Sequence, residues 1–172
     1  MDMHFWLDPL NAKAVVHEIE EALSEIDAEN AGLYAENAQK LEQELGKLDA
    51  ELKGILAPVA DKPYVVFHDG YQYFEKRYGL NAIGSVSVSP EASPGAQRVA
   101  EMQAKVQKLG AVCVFSEPQF EPRLVAVIAE GSNARSGVLD PLGADLADGP
   151  DQYFDLLRNL AESLANCLSG EG

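Results

Sequence analysis

The chain has 172 residues, 47% of them hydrophobic, and a formal net charge of −15. That length holds one domain with a real core, or one domain with an appendage, and the hydrophobic fraction excludes a disordered chain. The acidic balance argues against nucleic acid and against anionic membrane surfaces as partners; it weakly favours cationic ligands.

No apolar run is long enough to cross a bilayer. Met1-Asp2-Met3-His4-Phe5-Trp6 has neither the charged n-region nor the apolar h-region of a signal peptide. The chain opens inside what reads as a folded motif, so a fragment with an added Met1 is expected, and missing targeting signals then say nothing about compartment. Two cysteines, Cys113 and Cys167, are weak evidence for a disulfide; free buried thiols are the simpler reading on count alone.

Asp8-Pro9 is a helix start, an N-cap followed by proline at the first helical position. Ala12, Val15, Val16, Ile19, Ala22, Leu23 and Ile26 follow at helical spacing, with His17 on the solvated face. A second helix is expected over 28–57. Tyr34, Ala38, Leu41, Leu45, Leu48, Leu52 and Ile55 form one apolar stripe along it. Gly46 and Gly54 cost it roughly 1 kcal/mol each, and Pro58 ends it. A coiled coil is the alternative, but about three heptads is marginal for that.

From Pro63 the pattern changes to alternating strands and helices. Strand one is Tyr64–Phe67, followed by an aromatic helix to Tyr78 with Gly79 as its C-cap. Strand two spans about Ala82–Val88, and 89–94 is a loop. A helix with Val99, Met102, Val106 and Leu109 stops at Gly110. Strand three is Ala111–Phe115, followed by a helix from Pro122 to about Ala129. Strand four is Gly137–Leu139, and the last helix runs Tyr153–Leu168. The order predicts an α/β fold: a four-stranded parallel sheet with helices on both faces, preceded by the long helix.

Three of those strands end in ionisable residues, His68-Asp69, Glu117 and Asp140, on the carboxyl edge where open α/β sheets bind ligands. Each also has a plain structural role: Asp69 can cap the aromatic helix, Glu117 is a loop charge, and Asp140 precedes Pro141 in a turn. His68 alone is more often structural than a ligand, and His4 lies on a loop before the first helix. Nucleophilic catalysis is poorly supported, because there is no Gly-x-Ser-x-Gly and both cysteines sit in apolar settings. His68-Asp69-Gly70 offers one glycine and an acid where a phosphate needs donors. What remains is a histidine and carboxylate set suited to a divalent transition metal. A metal-dependent enzyme with Glu117 as general base is a minor alternative, since no further polar constellation supplies a substrate pocket.

His4-Phe5-Trp6-Leu7-Asp8-Pro9, Phe67-His68-Asp69-Gly70-Tyr71-Gln72-Tyr73, Ser116-Glu117-Pro118-Gln119-Phe120 and Leu139-Asp140-Pro141-Leu142-Gly143 together resemble the metal-binding proteins of zinc and manganese ABC importers, the cluster A-I solute-binding family. The resemblance covers essentially the whole chain. It implies two α/β lobes joined by one long helix with the metal between them, and no enzymatic activity. Residues 1–27 would be the end of the first lobe, 28–57 the linking helix and 58–172 the second lobe. The resemblance implies His4, His68 and Asp140 as metal ligands, Zn²⁺ as transported cargo with Mn²⁺ less favoured, and a membrane permease as partner. It implies a Cys113–Cys167 disulfide, closing a loop of about 55 residues worth ~4 kcal/mol, and hence an oxidising compartment, the periplasm. A further first-lobe histidine and a His-rich loop of zinc-type members have no counterpart here. Binding by this piece alone should therefore be weaker than in a two-lobed member, and a homodimer could cover the lobe face left bare.

Overall fold

In the computed structural model, residues 2–87, 95–120 and 123–170 are described. Asp8 caps α1 (Pro9–Ile26), its carboxylate accepting the Leu10 N–H at 2.9 Å, and Pro9 sits where no intrahelical donor is needed. A short 3₁₀ turn, Ala28–Asn30, reverses the chain into α2 (Ala31–Leu56). The apolar stripe of α2 serves two partners. Tyr34, Ala38 and Leu41 line a groove with Val16, Ile19 and Leu23 of α1, whereas Leu45, Leu48, Leu52 and Leu56 are fully buried further along. The helix stops at Leu56, and Pro58 falls inside a 3₁₀ turn, Ala57–Val59.

Four strands follow: β1 (Tyr64–His68), β2 (Ala82–Ser87), β3 (Cys113–Ser116) and β4 (Arg135–Val138). They form one parallel sheet in the order β2-β1-β3-β4. Between them lie α3 (Gln72–Tyr78), α4 (Ala96–Leu109) and α5 (Arg123–Ala129), and α6 (Gln152–Ser169) comes last. Gly79 and Gly110 end α3 and α4 in the left-handed conformation, at φ 66° and 64°, where a side chain would be strained.

β1 is buried along its whole length, and its alternation splits the core. Tyr64 and Val66 face Leu52, Leu56, Phe74, Phe115 and the leucines of α6. Val65 and Phe67 face Val86, Met102, Val106, Val125 and Ile128, from β2, α4 and α5. Helices therefore cover both faces, as expected. Arg77 of α3 donates to Asp49 of α2 at 2.8 and 2.5 Å, fastening α3 to the long helix. The Arg77 hydrogen bond, first among its causes, holds the Asp49 carboxyl below its ordinary range. Cys113, at the start of β3, is joined to Cys167 of α6 in a disulfide with its Cα atoms 6.3 Å apart.

Several boundaries differ from expectation. Strand three begins at Cys113 rather than Ala111 and runs to Ser116. Strand four begins at Arg135 rather than Gly137 and ends at Val138, because it is an edge strand whose exposed Arg135 and Ser136 carry no apolar signal. The Arg135 guanidinium instead donates to the Cys167 carbonyl near the end of α6, from Nε at 2.8 Å. Asp69 does not cap α3: the helix starts at Gln72, the cap position is Tyr71, and no side chain bonds there. Gly70 N–H closes a tight turn onto the His68 carbonyl at 3.0 Å and keeps Asp69 exposed, outside the helix. Val88, the 89–94 loop and Pro122 lie outside the described residues. Among the described residues no helix is long and apolar enough to cross a membrane.

Glu75 of α3 carries a pH dependence. Burial, then the charge of Asp69, push its carboxyl from 4.5 up to about 7, although the Tyr64 hydroxyl, 3.4 Å away, donates to it and pulls the other way. The folded chain thus binds this proton more tightly than the unfolded chain does. Its contribution is fully present below about pH 4.5 and is lost as pH rises through 7. Glu75→Gln is expected to raise stability at pH ~8 by on the order of 3 kcal/mol and to leave it nearly unchanged at pH ~4. Thermal melts of both proteins at the two pH values check this; a uniform shift at both would contradict it.

Candidate metal centre

The segment around His4 is fixed by its neighbours. Leu7 is fully buried, the Trp6 Nε1–H donates to the Pro141 carbonyl at 3.0 Å, and the Tyr153 hydroxyl donates to the Trp6 carbonyl at 2.7 Å. These contacts clamp the 3₁₀ turn Phe5–Leu7 onto the loop after β4 and onto the first turn of α6. His4 is the residue that leads into the turn. His68 is the last residue of β1 and is 6% exposed.

The two imidazoles meet. Their centroids are 5.0 Å apart and their Nε2 atoms 3.3 Å apart. Two nitrogens bound to one tetrahedral zinc at about 2.0–2.1 Å would be separated by roughly 3.3 Å, so this spacing fits a shared ion. Each opposite ring nitrogen meets a carboxylate. His68 Nδ1 lies 2.5 Å from Glu117 Oε1, and His4 Nδ1 lies 2.7 Å from Asp2 Oδ1, which also accepts the His4 backbone N–H. Trp6 and Tyr71 flank the pair, at 5.1 Å from His4 and 5.8 Å from His68. Burial pushes the Tyr71 phenol well above its ordinary range, and the negative charge of Glu117 adds to this. Tyr71 is therefore a neutral wall, its hydroxyl donating to the Leu139 carbonyl at 3.3 Å.

Gly70 makes the approach of the rings feasible. A Cβ there would lie 2.3 Å from His68 Nε2 and 3.0 Å from His4 Cε1. Sequence reasoning weighed this glycine only against phosphate binding; its actual use, space for two rings, depends on His4 arriving from 66 positions earlier. Asp2 was also missed, although an acid two residues before a histidine is a local signal for such a bond.

Asp140 lies just past β4, and both its oxygens are engaged. Gln119 Nε2 and the Leu142 N–H donate to Oδ1, each at 3.0 Å, and the Ala144 N–H donates to Oδ2 at 2.5 Å. Burial raises its carboxyl, but the Gln119 amide and the backbone N–H groups of its loop outweigh that and leave it below the ordinary carboxylate range. Among the described residues no three of His, Cys, Asp and Glu converge on one metal position. The structure brings His4 and His68 together and holds Asp140 on its own loop. Cys113 stands at the amino end of β3, opposite the edge that carries His68, and its disulfide takes no part in the site.

Comparison with known proteins gives this geometry a family. The family model described as "ZnuA: Zinc-uptake complex component A periplasmic" matches residues 1–167. The chain is 55% identical over 168 residues to the high-affinity zinc uptake system protein ZnuA of Brucella suis biovar 1, covering 98% of this chain and 50% of that protein. It is 39% identical over 167 residues to the protein of the same name from Yersinia pestis, covering 97% and 52%. A crystal structure of ZnuA superposes with a TM-score of 0.84 at 30% identity, over 98% of this chain and 60% of that one. A 138-173 deletion mutant of ZnuA with zinc bound gives 0.81 at 30% identity, over 98% and 61%. The chain spans about half the length of the curated relatives it matches. With the family model matched across nearly all its residues and the α/β sheet in common, the chain belongs to the ZnuA family of periplasmic solute-binding proteins.

Proposed function

We propose that this chain supplies one half of a periplasmic protein that binds Zn²⁺ as cargo and hands it to the membrane permease of an ABC importer. The observation that carries this reading is the pair of imidazole Nε2 atoms 3.3 Å apart. His4 and His68 bind the ion through Nε2. Asp140 is the oxygen donor of the same edge; each carboxylate oxygen has two lone pairs, so its present hydrogen bonds leave room for a metal. Remaining ligands come from outside this chain. Imidazole donors favour zinc; manganese, the alternative cargo, suits a site richer in carboxylate.

The same reading divides the chain into the end of a first lobe (1–27), a linking helix (28–57) and a second lobe (58–172). The two-sided stripe of α2 supports that division: its first half packs along α1, and its second half belongs to the core. A second reading, a lobe that binds no metal alone and pairs with a copy of itself, is favoured by the exposed Val15, Ile19, Leu23, Ile26 and Leu33 on α1 and α2. A calorimetric titration of the chain with zinc, beside His68→Ala, tests the first reading. One zinc per chain with loss in the variant is expected; no binding by either protein would overturn a competent site in this half.

A further inference from the structure

We infer that Glu117 and Asp2 are the positioning residues of the zinc site, each fixing one histidine in the tautomer and orientation that can bind metal; the assignment rests on the zinc reading above. A carboxylate can only accept, so the nitrogen facing it must carry the proton. Glu117 Oε1, 2.5 Å from His68 Nδ1, therefore puts that ring's proton on Nδ1 and leaves the Nε2 lone pair free. Asp2 Oδ1, at 2.7 Å from His4 Nδ1, does the same for His4. Both free lone pairs then point into one gap, between atoms 3.3 Å apart. Either ring in the other tautomer would turn an N–H into that gap and block the ion.

Both acids are placed to act on a ring rather than on solvent. The side chains of Glu117 and Asp2 are 2% and 6% exposed. Glu117 comes from the end of β3, the strand beside β1, so sheet pairing sets its distance to His68. Among the described residues Asp2 Oδ2 is buried with no hydrogen-bond partner, so the bonds of this carboxylate are those of Oδ1 to His4. A buried carboxylate behind each imidazole adds negative charge that favours a divalent cation. Glu117 thus acts through His68 as an orienting acceptor, and not as the general base of a hydrolase.

The test uses the whole chain with ¹⁵N-labelled histidine, zinc-free and near pH ~8, above the ordinary histidine range, as the unmodified protein, Glu117→Gln and Asp2→Asn. An amide keeps the shape of the acid but can donate or accept, so it releases the tautomer. Ring-nitrogen shifts should report Nδ1–H for His4 and His68 in the unmodified chain. Glu117→Gln should move His68 toward the Nε2–H form without moving His4, and Asp2→Asn the reverse. Exposed His17 of α1 should not respond to either change. Zinc affinity should fall ~10–100-fold in each variant. An Nε2–H form of either histidine in the unmodified chain would overturn the assignment, as would variants that leave both the tautomers and the affinity unchanged. Tautomers that shift as expected, with no zinc bound by any of the three proteins, would uphold the orienting roles and overturn the zinc site.

Discussion

Replacing His68 by alanine is expected to lower the zinc affinity of this chain by more than about 100-fold. Loss of a partner behind a ligand costs ~10–100-fold, and removing the ligand itself costs more. The variant takes away one of the two nitrogens whose spacing fits the ion and leaves a single imidazole. It also strips Glu117, 3% exposed, of the ring it faces. An orphaned buried acceptor costs about 1–3 kcal/mol, so a lower melting temperature is part of the expected result. Titration well below that temperature separates lost ligation from lost folding. His17→Ala is the control. His17 is exposed and pairs with Glu21 of the same helix, so neither affinity nor melting should change measurably. Equal zinc affinity in His68→Ala and the unmodified chain would refute the site.

Removing the disulfide has the other large expected effect. Cys113 and Cys167 are 54 positions apart, and in the chain-entropy account a loop of that size is worth ~4 kcal/mol. The bond joins a central strand to a helix whose Leu157, Leu160, Leu164 and Leu168 fill one side of the core. Cys113→Ala/Cys167→Ala is therefore expected to melt lower by on the order of 10 °C. Zinc affinity below the melting range should hardly move, because Cys113 begins β3 and pairs with Tyr64, whereas His68 ends β1. A variant that melts like the parent would show that α6 is held by packing alone.

What was legible in the sequence was mostly local. Gly79 and Gly110 mark helix ends because a left-handed residue is needed at one point in the chain, and the apolar run at Tyr64 reads as a buried strand for the same local reason. The α/β order follows from such signals. β4 was harder, since an edge strand with exposed faces loses its hydrophobic pattern, and its start at Arg135 shows only through pairing with Cys113. The expected Asp69 cap failed because the Gly70 N–H turns back onto the His68 carbonyl and the helix starts only at Gln72. His4 looked like a terminal histidine until the contacts of Trp6 with Pro141 and Tyr153 gave it a fixed place. The cysteine count left pairing open; the resemblance implied the bond, and the geometry has it. Asp140 was read from its strand end, but its hydrogen bonds to Gln119 and its own loop are invisible in a strand pattern.

Zinc K-edge X-ray absorption on the chain loaded with one equivalent of Zn²⁺ reads directly whether His4 and His68 share the ion. Two imidazole nitrogens are expected around zinc at about 2.0–2.1 Å, with loss of the imidazole scattering in His4→Ala/His68→Ala. A shell of oxygens alone, or the same spectrum from the double variant, would contradict it.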